Sequence, residues 1–183
     1  INDATSWTIS PTKLGFHEQI RFVNTISIDT EKQKLGFSGF ELEEGRLFKN
    51  SDTNKLILGS QYKNNDYVGK EVKLGDTILI NDEEFQVVGI LKTAGNPSAD
   101  RSIYMPEKKF REIFNIKNRV DFIIAQVSEE SNINKIAENT EEKLMKSRGL
   151  KEETIDFTIL TPEELLATFG AVLKIVTSFL FAI

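Results

Sequence analysis

The chain has 183 residues and a mass of 20.7 kDa, with 39% hydrophobic residues, 28% charged residues, a net charge of -5 and a pI near 5.1. That balance belongs to one folded domain or two small lobes with a core, and the negative charge gives no electrostatic grip on nucleic-acid phosphates. No cysteine is present, which excludes disulfides, thiolate zinc sites and thiol nucleophiles, and a single histidine, His17, excludes multi-histidine metal centres.

The chain opens at Ile1 with no basic segment leading into an apolar run, so it reads as an excised part of a longer protein. Trp7 to Ile9 and Ile20 to Ile28 are expected strands, the second dense in β-branched residues. Glycines at 36, 39 and 45 punctuate the following stretch, and Leu56 to Leu58 is a compact apolar run ended by Gly59.

Residues 69–91 carry the strongest β pattern. Val72 and Leu74 alternate with charges, Gly75-Asp76 turns, Thr77 to Ile80 is a strand, and Asn81-Asp82-Glu83 turns back into Phe85 to Leu91. This spacing predicts an antiparallel meander. Gly95 to Ser98 is a loop, and Ser102 to Met105 is a short strand. Pro106 opens a helix with Phe110, Ile113 and Phe114 at helical spacing.

From Val120 the pattern changes. Phe122 to Val127 is a continuous apolar strand, residues 128–132 start a helix, and Ile133, Ile136, Ala137, Leu144 and Met145 share its apolar face. Gly149 is its expected C-cap, and Ile155 to Leu160 is the next expected strand. Together they predict a βαβ-like unit. Thr161 then caps a new helix, Pro162 takes its first position, and Glu164 completes a capping box.

From Leu165 to Ile183 only Thr168, Lys174, Thr177 and Ser178 are polar. A helix of that length is about 28 Å long, near the roughly 30 Å hydrocarbon thickness. Lys174 falls near its middle, where charge is costly, so the expected membrane span begins at Ile175. An amphipathic helix docked on a soluble core is the alternative.

Little catalytic chemistry is encoded. No phosphate-binding loop is present; Gly69-Lys70 is followed by Glu71. Asn50, Asp52 and Asn54 imitate the start of a calcium loop, but Lys55 stands where glycine is needed and Gln61 where a bidentate Glu is needed. Acidic runs at Glu43-Glu44, Asp82-Glu83-Glu84, Glu141-Glu142 and Glu152-Glu153 read as solvated surface. His17 reads as a loop residue. Trp7, the Phe110/Ile113/Phe114 stripe and the thirteen phenylalanines read as core. No catalytic, cofactor-binding or metal-binding residue is expected, and no cofactor.

Four stretches in order, GFELEEGRLF with KLILGS, then GKEVKLGDTILINDEEFQVVGILKTAG, then DRSIYMP with Asp100, Ile103 and Pro106, resemble the extracytoplasmic core domain of MacB/FtsX-like ABC transporter permeases. The resemblance implies an α+β fold: a porter-like βαβ lobe from residues 1–35 and 117–161, an inserted antiparallel β-rich (Sabre-like) lobe at 36–116, and a stalk helix with the start of a second membrane span at 162–183. It also implies a non-enzymatic domain on the outer side of the cell membrane, driven by a separate ABC ATPase subunit and paired with a second permease copy. The stalk, Pro162 to Lys174 with Gly170 as a weak point and Ala171 as a position to break it with proline, would carry the motion. Substrates in such systems are peptides, lipids or lipoproteins, and FtsX-like relatives activate cell-wall hydrolases. A membrane-anchored binding module for an apolar ligand or protein partner is the competing expectation.

Overall fold

A computed structural model describes residues 1–128 and 132–167. The chain divides into two units, residues 2–126 and residues 127–183 with Ile1. The first contains β1 (Asp3–Trp7), β2 (Ile9–Phe16), β3 (Gln19–Ile28), α1 (Gln33–Gly36), β4 (Leu42–Gly45), β5 (Lys55–Leu58), α2 (Asn65–Val68), β6 (Thr77–Ile80), β7 (Glu83–Leu91), α3 (Pro97–Asp100), β8 (Ile103–Pro106), α4 (Glu107–Ile113) and β9 (Phe122–Gln126).

Seven strands form one sheet in the order β4-β7-β5-β8-β3-β2-β6, and β6 also pairs with β7. The second pairing closes β7, β5, β8, β3, β2 and β6 into a ring. Closure leaves fewer free edges than an open sheet of the same strands presents. The sheet is mixed: β3 runs parallel to β8, and β5 parallel to β7. The expected antiparallel meander is confined to the β6–β7 hairpin, where Asn81 and Asp82 (φ 49° and 70°) make the two-residue turn.

Strand alternation sorts side chains to the two faces of the ring. Inward go Leu14, Phe16, Val23, Leu56, Leu58, Ile78, Ile80, Phe85, Val87, Ile103 and Met105, joined by Tyr62 and by Phe110 from α4. Each large apolar side chain buried here contributes about 1.5–3 kcal/mol. Outward from the same strands go Ile26, Ile28, Ile57 and Tyr104, covered by Phe37 and Phe48 in a second cluster. Gln33 holds that cover in place: its amide donates to the carbonyl oxygens of Phe48 (2.7 Å) and Thr30 (2.9 Å), and its oxygen accepts from the Phe48 N–H (2.8 Å).

Several expected boundaries are corrected. The strand expected at Trp7 to Ile9 is two strands, β1 and β2, with Thr8 between them. Pro11 sits within β2; the ladder partners show that its missing N–H would face away from β3, where no ladder bond is lost. β9 is a strand as expected, but Phe122 and Ile123 are exposed, and among the described residues its one partner is β1, in a two-stranded ribbon. Pro106 ends β8 and α4 follows it.

In the second unit, α5 spans Ile133–Arg148. The Asn132 side chain accepts from the Lys135 N–H (3.0 Å), and Gly149 ends the helix in the left-handed region at φ 65°. Its apolar positions are at most half-buried. The strand expected at Ile155 to Leu160 is absent as a strand: the segment alternates half-buried and exposed residues but makes no ladder. Alternation favours extended backbone, whereas a ladder needs an edge to pair with. Arg148 ties this segment to α5 through Asp156 (2.7 Å).

Gly59 has no room for a side chain, since a Cβ there would lie 2.4 Å from the Asp100 carbonyl oxygen. Gly59→Ala is therefore expected to cost about 1–3 kcal/mol in urea unfolding. Tyr104 is fully buried, no described residue partners its hydroxyl, and burial pushes its phenol well above the usual value. Above pH about 10 the unfolded chain releases that proton and the folded chain keeps it, so stability falls as pH rises. Tyr104→Phe is expected to make this alkaline decline shallower, read from urea midpoints between pH 9 and 11, without loss of stability at pH 7.

Candidate functional site

Asp100, Ile103 and Pro106 each have a structural part. Asp100 is buried and accepts from the Ala94 N–H (2.8 Å) and the Thr93 hydroxyl (3.1 Å), pinning the 93–96 loop to the start of β8. Ile103 is core, and Pro106 joins β8 to α4. The three positions of the D-x-x-I-x-x-P segment thus shape a loop and a strand.

Two of the acidic runs are paired with cations. Lys63 bonds to Glu43 (2.8 Å) and Glu44 (2.6 Å), and these hydrogen bonds push its ammonium up. Asp82 pairs with Lys13. Lys109, held up chiefly by hydrogen bonds to Glu112 and Glu83, bridges α4 to the β6–β7 turn. At the imitation calcium loop, burial alone would raise the Asp52 carboxyl. Hydrogen bonds from Arg46 (2.6 Å) and the Lys49 N–H (2.9 Å) outweigh that and hold it low. Its oxygens are therefore committed to the protein. His17 occupies the β2–β3 turn at φ 51°, exposed, with its ring 4.5 Å from that of Phe16.

One surface site is built by convergence. β8 pairs with β3 only from Thr25 onward, and on the same side of β3 at residues 20–24 the ring has a seam. A groove of about 640 Å³ fills it, lined by Ile20, Arg21, Phe22, Tyr67, Ser98 and Arg101 among others. The Arg21 and Arg101 guanidinium groups lie 5.3 and 5.9 Å from the centre of the Tyr67 ring. A phenol ring face attracts such cations. Ile20 and Phe22 are 62% and 81% exposed. Residues 21, 67 and 101 are far apart in the chain, and no spacing in the sequence links them. The only local hint is Phe22 itself, an aromatic residue on the outward register of a strand.

A second feature is the helix that begins at residue 162. Glu164 Oε2 accepts from the Thr161 N–H (2.7 Å), and Thr161 Oγ1 accepts from the Glu164 N–H (3.2 Å), which is the expected capping box. The Thr161 N–H and hydroxyl hold the Glu164 carboxyl below the usual range. The helix is described through residue 167. Gly170, Ala171, Lys174 and the span expected from Ile175 lie outside the described residues. Among the described residues no helix is long and apolar enough to cross a membrane.

Comparison with known proteins is consistent across sequence and fold. The model of the MacB-like periplasmic core domain family matches residues 5–143. Over 146 residues, 80% of this chain, the sequence is 35% identical to a Methanocaldococcus jannaschii protein described as an uncharacterized ABC transporter permease, MJ1507. The chain spans only 35% of that relative's length. In fold it is similar to the periplasmic region of MacB from Actinobacillus actinomycetemcomitans, with a TM-score of 0.72 at 22% identity over 93% of this chain and 76% of that one. It is also similar to the extracellular domain of the noncanonic ABC-type transporter YknZ from Gram-positive bacteria, with a TM-score of 0.65 at 17% identity over 83% and 79% of the two chains.

Asp100→Ala would leave the Ala94 N–H without its acceptor, and is expected to cost about 1–3 kcal/mol. Urea unfolding measures that loss, and faster amide exchange at Ala94 would localise it to the loop.

Proposed function

The chain belongs to the MacB-like periplasmic core domain family, and on that premise we propose that it is the extracytoplasmic domain of an ABC transporter permease in the cell membrane. It carries out no reaction itself. ATP is hydrolysed on a separate nucleotide-binding subunit, two permease copies come together, and the resulting motion of the membrane helices moves this domain against an extracytoplasmic substrate or partner. The observation that carries the reading is the 35% identity to a permease across 80% of the chain.

Two structural features support it. A push or pull transmitted along a chain needs an element with continuous backbone hydrogen bonds, and the box at Thr161 and Glu164 starts one cleanly. The β1–β9 ribbon joins a segment near residue 5 to one near residue 124. That pairing fits a porter-like lobe drawn from both 1–35 and 117–161, with β2 and β3 reaching into the β-rich lobe at 36–116.

Leu165 donates the bond that begins the helix, to the Thr161 carbonyl (3.0 Å). Leu165→Pro removes it and distorts the turn, at about 3 kcal/mol or more. The test uses the full-length permease reassembled with its ATPase in nanodiscs, with a spin label at exposed Asn50 and another on the ATPase. The expected result is ATP hydrolysis within twofold of the parent and loss of the ATP-driven change in label separation. A label displacement that survives the substitution would overturn the coupling.

A further inference from the structure

Strand β3 has two edges. In the β2–β3 ladder Ser27 donates to the Thr8 carbonyl (2.9 Å), so the odd residues of β3 direct their N–H and C=O toward β2. By alternation the even residues direct theirs the other way. For Ile26 and Ile28 that direction meets β8. For Ile20 and Phe22 it meets the seam, and among the described residues no ladder or other hydrogen bond takes up those groups. Two residues of sheet edge are therefore unpaired at the seam.

The groove beside them has its own chemical preference. Arg21 and Arg101 share the Tyr67 ring, and no carboxylate of a described residue forms an ion pair with either. Two neighbouring guanidinium groups repel, and the ring face offsets only part of that. On the opposite face of the same edge, Ile20 and Phe22 present apolar side chains to solvent. A ligand that satisfies the edge must offer backbone donors and acceptors in extended form. It must also alternate carboxylates toward the arginines with apolar side chains toward Ile20 and Phe22.

We propose that the seam beside residues 20–24 of β3 is a docking site for an extended, carboxylate-bearing segment of a partner protein, which pairs with the strand as an added β-strand. Main-chain hydrogen bonds to Ile20 and Phe22 supply the pairing, and Arg21 and Arg101 select the side-chain pattern. A chain of net charge -5 repels acidic partners at long range, so the local arginine pair makes the selection at contact. The docking depends on the sheet edge and the arginine pair, and stands or falls separately from coupling to an ATPase.

The probe is a blocked hexapeptide of alternating glutamate and valine, fluorescein-labelled and titrated with the whole chain by anisotropy. The expected result is saturable binding, with at least a tenfold weaker response for the lysine–valine peptide. Amide exchange at Ile20 and Phe22 should slow at least tenfold at saturation, while Arg21 and Val23, already bonded to β2, change little. N-methylation along one edge of the peptide should abolish binding, and along the other edge should spare it. Arg101→Glu should weaken binding at least tenfold with an unchanged thermal midpoint; Arg21→Glu is the second variant should the first lose its fold. Failure to bind, equal binding of the lysine peptide, or binding without protection of Ile20 and Phe22 would overturn the proposal. So would phosphatidylglycerol vesicles that bind through these arginines while the peptide does not.

Discussion

Closure of the ring rests on one short strand. β6 has four residues, yet it pairs with β2 at Leu14 and Gly15 and with β7 along its whole length. Leu79 packs over Gly15 so closely that a Cβ there would lie 3.3 Å from the Leu79 Cβ. A bare glycine at the crossing lets β6 reach both neighbours. Without that contact the sheet would open, and inward residues such as Ile78, Ile80 and Phe85 would lose their enclosure.

The ring separates two roles. Its interior is sealed by apolar side chains and by Phe110 from α4, and its outer face is covered where the segment of residues 33–48, with Trp7, lies over Ile26, Ile28 and Tyr104. Ile20 and Phe22 continue that outer face past the end of the cover. The seam exists because the chain turns into α3 before Ile103, leaving β8 too short to match β3. Asp100 holds that turn in place and thereby positions Arg101 beside the groove.

Local features were legible in the residues. The Thr161 and Glu164 box, the Gly149 cap, the Asn81-Asp82 turn and the strand of Phe85 to Leu91 each depend on neighbours a few positions away, and each is present. The order of short motifs also indicated the permease family, which the family model and the 35% identical relative show. Where the reading failed, long-range pairing decided. Residues 10–16 carried no strand expectation, yet they form most of β2: Pro11 faces an edge that needs no donor, and Gly15 makes the β6 crossing. Ile155 to Leu160 has the alternation of a strand and no ladder to complete it.

Sequence by itself determined the α+β composition, the absence of thiol and multi-histidine chemistry, the helix caps and the family, because these follow from residue type and short-range spacing. Only the tertiary structure decided that β3 and β8 run parallel, that six strands close on themselves, and that Arg21, Tyr67 and Arg101 meet at one groove. Those outcomes depend on which strands become neighbours, and neighbours distant in the chain leave no local pattern.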